Sequence, residues 1–273
     1  MEPLAGPVFA AFSLAAWKRP LIGLGIVLAV VAALSWTPAL APGAERPLPL
    51  AGRKIVVDPG HGGIDPGCHR DGILEKDLTL RVALLLADQL TEKGAVVTLT
   101  RETDTELSHL TQSEPTRHGR DLAARVLIAE ESGAEILVSL HVNAASSPGL
   151  GGAIVFHHRG SENGRLLAEA ILERLQAVVP GNQSGVLPRD FYILRRASMP
   201  AVLVELGFLT HARDREKLLS EEGRVRMAEA IAEGIEAYAL RTAKPPQRPA
   251  SAGQEDAAAS SADGEPAWHV CAA

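Results

Sequence analysis

Short apolar, β-branched runs alternate with longer stretches whose apolar residues recur every three or four positions. The runs are "KIVVD" (54–58), "AVVTLT" (95–100), "EILVSLH" (135–141), "GAIVFHH" (152–158) and "AVLVEL" (201–206). Each has the length and residue type of a buried strand. The stretches between them have helical spacing. Residues 76–94 put Leu78, Val82, Leu85 and Leu86 on one face and close at Gly94. Residues 119–133 group Leu122, Val126 and Ala129 and close at Gly133. Stretches 162–179 and 223–241 behave alike. An apolar stripe followed by glycine is the signature of an amphipathic helix and its C-terminal stop. Strand and helix in alternation predict an α/β fold: a twisted, largely parallel, mixed sheet of about six strands with helices on both faces.

Both ends of the chain break this pattern. Residues 21–40, "LIGLGIVLAVVAALSWTPAL", carry no charge and follow Lys18 and Arg19. A basic flank before an apolar core predicts an export segment. "ALA" at 39–41 suits cleavage, while the length also suits an uncleaved membrane anchor. Either way the working domain is expected outside the cytoplasm, in the cell envelope or beyond. "APGAERPLPLAG" (41–52) reads as a linker, and the Pro-, Ala- and Ser-rich residues 243–273 as a disordered tail. The expected organisation is 1–44 export segment with linker, 45–242 catalytic domain, 243–273 tail.

Composition adds mainly exclusions. With 27 basic and 33 acidic residues the net charge is -6, which gives no global attraction for nucleic acid. Two cysteines, Cys68 and Cys271, form neither a disulfide framework nor a cysteine metal site.

Parallel strands bring their carboxyl ends to one edge, where α/β sheets bind ligands. Several polar groups fall there. Asp58 closes the first strand, and His61 follows in "DPGHGGIDPG". His141 ends "ILVSLH" with Asn143 behind it, and Glu205 ends "AVLVE". Glu75 lies in the loop "GILEKD" before a helix. A lone histidine at a strand end is more readily a hydrogen-bonded core residue than a ligand. A carboxylate there is harder to bury unpaired. Two histidines with one or two carboxylates on one edge suit a zinc ion with one position open to water. The glycines at 60–63 could also cradle a phosphate, but neither a P-loop lysine nor G-x-G-x-x-G accompanies them, and H-E-x-x-H is absent.

Four ordered segments, "IVVDPGHGGIDPG", "GILEKDLTL", "ILVSLHVNA" and "AVLVELGFLTH", resemble the zinc-dependent N-acetylmuramoyl-L-alanine amidases of the Amidase_3 type. "DLAARVLIAEESGAEILVSLHVNA" resembles them too, and the likeness runs from about residue 54 to 240. The resemblance implies a twisted mixed sheet flanked by helices. It implies one Zn2+ held by His61, Glu75 and His141, and Glu205 as the catalytic carboxylate. The implied partner is peptidoglycan, cut at the amide between N-acetylmuramic acid and L-alanine. "RETDTELSHLTQSEPTRHGRDLAARV" further resembles the spore-germination, CwlD-type branch, which implies work on spore cortex. One departure is His211, where the family often has Asn; it leaves a spare imidazole near the site.

Other roles stay open at this stage. Asp58 could orient an imidazole N–H or cap the glycine loop. Asn143 could do similar work or touch substrate. Arg189, Arg195 and Arg196, in the loop-like "LPRDFYILRRASMP", could bind stem-peptide carboxylates or be solvated. Cys68, His69, His157 and His158 are not needed for a three-ligand site. A zinc peptidase acting on the stem peptide and a non-catalytic wall-binding protein are the competing functions. No protein activator is legible, and membrane contact would come only through an uncleaved N-terminus.

Overall fold

The computed structural model describes residues 48–242. The expected export segment, most of the linker and the tail lie outside the described residues. Residues 48–52 belong to the domain rather than to a linker. Leu50 is fully buried, and its N–H bonds the Lys93 carbonyl at 3.1 Å.

The strands, in chain order, are β1 (Lys54–Pro59), β2 (His69–Arg70), β3 (Ile73–Leu74), β4 (Val96–Leu99), β5 (Ile136–Asn143), β6 (Ile154–His157), β7 (Gly185–Pro188) and β8 (Ala201–Phe208). The helices are α1 (Glu75–Glu92), α2 (Arg117–Glu131), α3 (Glu162–Val178), α4 (Tyr192–Arg196), α5 (Ala212–Leu219) and α6 (Glu221–Thr242). Six strands form one sheet in the order β4-β1-β5-β8-β6-β7, and β2 pairs with β3 in a separate hairpin. Strands β4, β1, β5 and β8 run parallel; β6 is antiparallel to β8, and β7 runs parallel to β6. The sheet is thus mixed, as expected.

Strand alternation divides the core in two. Ile55, Val57, Val138, Leu140, Val202 and Val204 point to one face, where they meet apolar residues of α1, α3 and α6. Val56, Leu137, Ile154, Phe156 and Leu203 point to the other, where Ala129 of α2 and Ile193 and Leu194 of α4 cover them. The helices start as local chemistry dictates. Thr116 caps α2 by accepting from Gly119 N–H (2.9 Å), and Ser161 caps α3 through Gly164 N–H (3.0 Å). Among the described residues no helix is long and apolar enough to cross a membrane.

Three elements differ from the sequence expectation. The loop-like stretch 187–200 contains the end of edge strand β7 and the whole of the short helix α4. The four residues of β7 are too few, and too interrupted by Pro188, to show alternation. Glu75 is the first residue of α1 rather than a loop residue. Strands β5 and β8 run past His141 and Glu205, so both sit inside strands rather than at their ends.

Candidate active site

The polar side chains on the α2/α4 face of the sheet follow from register. Asp58 pairs with Ser139, and His141 with Glu205. They continue the alternation begun by Val56, Leu137 and Leu203, so all four project to the same side. The sheet therefore places a histidine and a carboxylate, 64 residues apart in sequence, side by side.

His61 arrives by a different route. Strand β1 ends at Pro59, and the chain turns at Gly60 so tightly that a Cβ there would lie 2.4 Å from His141 Cε1 and 2.7 Å from the Leu140 carbonyl. Only glycine permits that approach. His61 itself adopts φ +63°, a left-handed conformation that costs a non-glycine residue roughly 1–2 kcal/mol. Hydrogen bonds hold it there. Its Nδ1 meets Asp65 Oδ2 at 2.8 Å, and its carbonyl accepts from Arg125 Nη2 at 2.7 Å. Asp65 Oδ1 closes the turn by accepting Gly67 N–H at 3.0 Å.

Glu75, at the start of α1, is fully buried beneath the two rings. His61 Nε2 and His141 Nδ1 each lie 3.1 Å from the same oxygen, Glu75 Oε1. That oxygen also accepts Val142 N–H (2.9 Å), and Oε2 accepts Cys68 N–H (2.7 Å). Gly67, at φ +65°, leaves the room: a Cβ there would stand 2.5 Å from Glu75 Oε2 and 2.7 Å from His61 Cδ2. The donor atoms of His61, Glu75 and His141 lie within 4.8 Å of one another, with all three residues buried.

The electrostatics match the geometry. Burial alone would lower the His61 imidazole, but the bond to Asp65 and the nearness of Glu75 outweigh it and raise it to about 10. Burial would raise Glu75, yet both imidazoles hold it well below the usual carboxylate range. Burial dominates at His141 and lowers it, which favours the neutral ring. Two imidazoles and a carboxylate converging on one point offer three donor atoms of the kind that hold a metal ion. His61 Nε2 is shielded from solvent and faces the Glu75 carboxylate at 3.1 Å, so a metal bound here would take the place of the ring proton.

The other sequence candidates occupy varied positions. Asp58 touches neither imidazole. Its oxygens accept from Thr100 Oγ1 (2.5 Å), Ser139 Oγ (2.6 Å) and Arg125 Nη1 (2.6 Å). Nor does it cap the glycine loop directly; Arg125 does, binding the Pro59 and His61 carbonyls. Asn143 is buried where the β5–β8 register shifts, and its Oδ1 accepts Ala144 N–H at 2.8 Å. Arg189 lies over the Phe156 ring, and Arg195 and Arg196 lie over Tyr192. His211 is not a spare imidazole of this cluster: its Nδ1 stands 2.9 Å from Asp214 Oδ1, and its ring abuts Gly151. Cys68 Sγ donates to the Val142 carbonyl, and His69 is exposed on the β2–β3 hairpin. His157 Nδ1 bonds the His158 carbonyl on the opposite face of the sheet from Phe156.

Sequence reasoning missed three supporting residues. Asp65 stands four positions after His61, a spacing that was visible. Arg125 interrupts the apolar face of α2, and its guanidinium is 2% exposed, so burial rather than solvation was the signal. Arg101 donates to the Pro59 and Gly60 carbonyls (both 2.9 Å) and to the Lys76 carbonyl, tying the His61 turn to α1.

The site is a mixed α/β sheet carrying a buried His–Glu–His cluster that could hold a metal ion, with a second carboxylate, Glu205, paired beside it. Comparison with known proteins fixes the family. Residues 55–237 match the Amidase_3 family, N-acetylmuramoyl-L-alanine amidase, and the chain belongs to it. A germination-specific N-acetylmuramoyl-L-alanine amidase of Bacillus subtilis is 34% identical over 202 residues, covering 73% of this chain and 85% of that one. An uncharacterised protein of the same organism, YqiI, is 36% identical over 201 residues, covering 73% and 91%. The solved CwlD amidase of Clostridioides difficile, in complex with the GerS lipoprotein, is 34% identical with a TM-score of 0.63, covering 68% of this chain and 98% of that one. The chain is accordingly a peptidoglycan hydrolase of the N-acetylmuramoyl-L-alanine amidase class.

Proposed function

We propose that His61, Glu75 and His141 hold a single zinc ion and that Glu205 is the general base for hydrolysis of the N-acetylmuramoyl–L-alanine amide. The observation that carries this is the convergence of two imidazole nitrogens on Glu75 Oε1, with Glu205 paired to His141 in the adjacent strand. Bound at these donors, zinc would supply the Lewis acidity that activates a water and polarises the scissile carbonyl. Asp65 holds the His61 ring by its Nδ1, so that Nε2 faces the donor cluster. Glu205, 1% exposed, is fixed by its strand. It takes the proton of the attacking water and passes it to the departing alanine amine.

The reading extends to place and substrate. The charge-free stretch at 21–40 behind Lys18 and Arg19 supports export, as a cleaved signal or as a membrane anchor. The likeness to a germination-specific amidase and to CwlD supports spore cortex as the peptidoglycan acted on. Cortex and vegetative peptidoglycan offered side by side to the zinc-loaded protein test this. Faster release of stem peptides from cortex is expected, and preference for the vegetative wall contradicts it.

A further inference from the structure

An open groove of about 680 Å³ adjoins the donor cluster; His61 and Asp65 line it on the cluster side, and His69, Arg117 and His118 line it elsewhere. His61 belongs to both, so the groove opens directly beside the cluster. The carboxylate in the groove, Asp65, is already engaged by His61 Nδ1 and Gly67 N–H. Two basic residues that also line the groove are underused. Arg117 commits Nη1 to Glu106, and its other N–H groups have no protein partner among the described residues. His118 Nε2 is shielded from solvent without a hydrogen bond. It also lines a second, smaller cavity that His61 and His141 share. Both residues sit in the first turn of α2, which carries no acid. Helix stability favours acids there, so local propensity does not explain the basic choice. Arg189, Arg195 and Arg196 line neither cavity, so their guanidinium groups do not supply donors to the groove.

We propose that Arg117 and His118 form the subsite for a free carboxylate of the stem peptide, on the leaving-group side of the scissile amide. This rests on the amidase reading. Peptidoglycan stems carry an acidic residue after L-alanine. At about 3.3–3.6 Å per extended residue, its carboxylate falls roughly 7 Å beyond the cut bond, on the part of the substrate that enters the groove. An arginine fork is suited to bind it in bidentate fashion.

The test uses the zinc-loaded full chain and two muramoyl peptides, identical except that the residue after L-alanine bears a free α-carboxylate or its carboxamide. The parent should favour the acid by about tenfold or more in kcat/KM. Arg117→Ala and His118→Ala, each checked for bound zinc, should bring the acid-to-amide ratio towards one, chiefly through KM for the acid. The Arg189→Ala/Arg195→Ala/Arg196→Ala variant should keep the preference. Equal use of both compounds by the parent overturns the subsite but leaves the amidase reading intact. So does a ratio untouched in both single variants, or one lost only in the triple variant. If the zinc-loaded parent cuts neither compound, the amidase reading itself fails and the subsite with it. Should one single variant not fold, the other decides.

Discussion

His141 and Glu205 stand in register on adjacent parallel strands, so the sheet backbone itself sets the spacing between a proposed zinc ligand and the proposed base. Neither depends on a loop for its placement, and both are buried. Glu205→Gln keeps the shape and removes the basicity. We expect zinc to be retained at one per chain while amide hydrolysis falls about 10²–10⁴-fold. Metal analysis beside a muropeptide assay checks both, and near-parental turnover would show that another group takes the proton.

Asp65 would act on a bound metal only through His61, whose Nδ1 it holds. Asp65→Asn should therefore lower zinc affinity about 10–100-fold without abolishing binding, because the ring loses its ionised partner at Nδ1. Competition titration with a chromogenic chelator measures this. An unchanged affinity would reduce Asp65 to a residue that merely closes the turn at Gly67.

In the metal-free protein His61 is raised from 6.5 to about 10. A group raised on folding stabilises the fold fully below its unfolded value, and that contribution is lost as pH climbs through the folded one. Zinc binds the deprotonated ring, so its own stabilisation grows over the same interval. Melting with and without zinc at about pH 6, 7.5 and 9 should show a gap in Tm that widens with pH. A gap that narrows would place His61 outside the ligand set.

Arg125 is the hub beneath the site. It binds Asp58, Asp121 and the carbonyls of Pro59 and His61, all at 2.6–2.9 Å. Arg125→Met strands buried carboxylates and should cost about 3–5 kcal/mol in urea unfolding. Adding Asp58→Asn should recover part of that loss, since the buried charge it removes no longer needs a partner. A loss under about 1 kcal/mol would mean that the cluster relaxes around water.

Much of this was legible before any coordinates. Five sheet strands and the four long helices announced themselves by period, and Gly94 and Gly133 marked two helix ends. What escaped was short or compensated. Strand β7 has four half-buried residues at a sheet edge, too little pattern to separate from loop. Helix α4 spans only five residues. The site candidates His61, Glu75, His141 and Glu205 came from strand position and resemblance, and the fold brings the first three together. Arg125 and Arg101 were hidden because a buried guanidinium looks in sequence like any surface arginine; its partners, Asp58 and the loop carbonyls, are distant along the chain. The two sequence readings of Asp58, orienting an imidazole or capping the glycine loop, both give way to parallel pairing, which turns it to Ser139 and Thr100.

The central claim is zinc-dependent cleavage of one particular amide, and product analysis addresses it most directly. Purified peptidoglycan is incubated with the protein, with and without a chelator, and the fragments are identified by mass spectrometry. The account predicts intact stem peptides with free L-alanine amino termini and glycan strands with unsubstituted lactyl carboxyls, both abolished by chelator and restored by zinc. Cuts within the stem peptide, or release that survives complete metal removal, would contradict it.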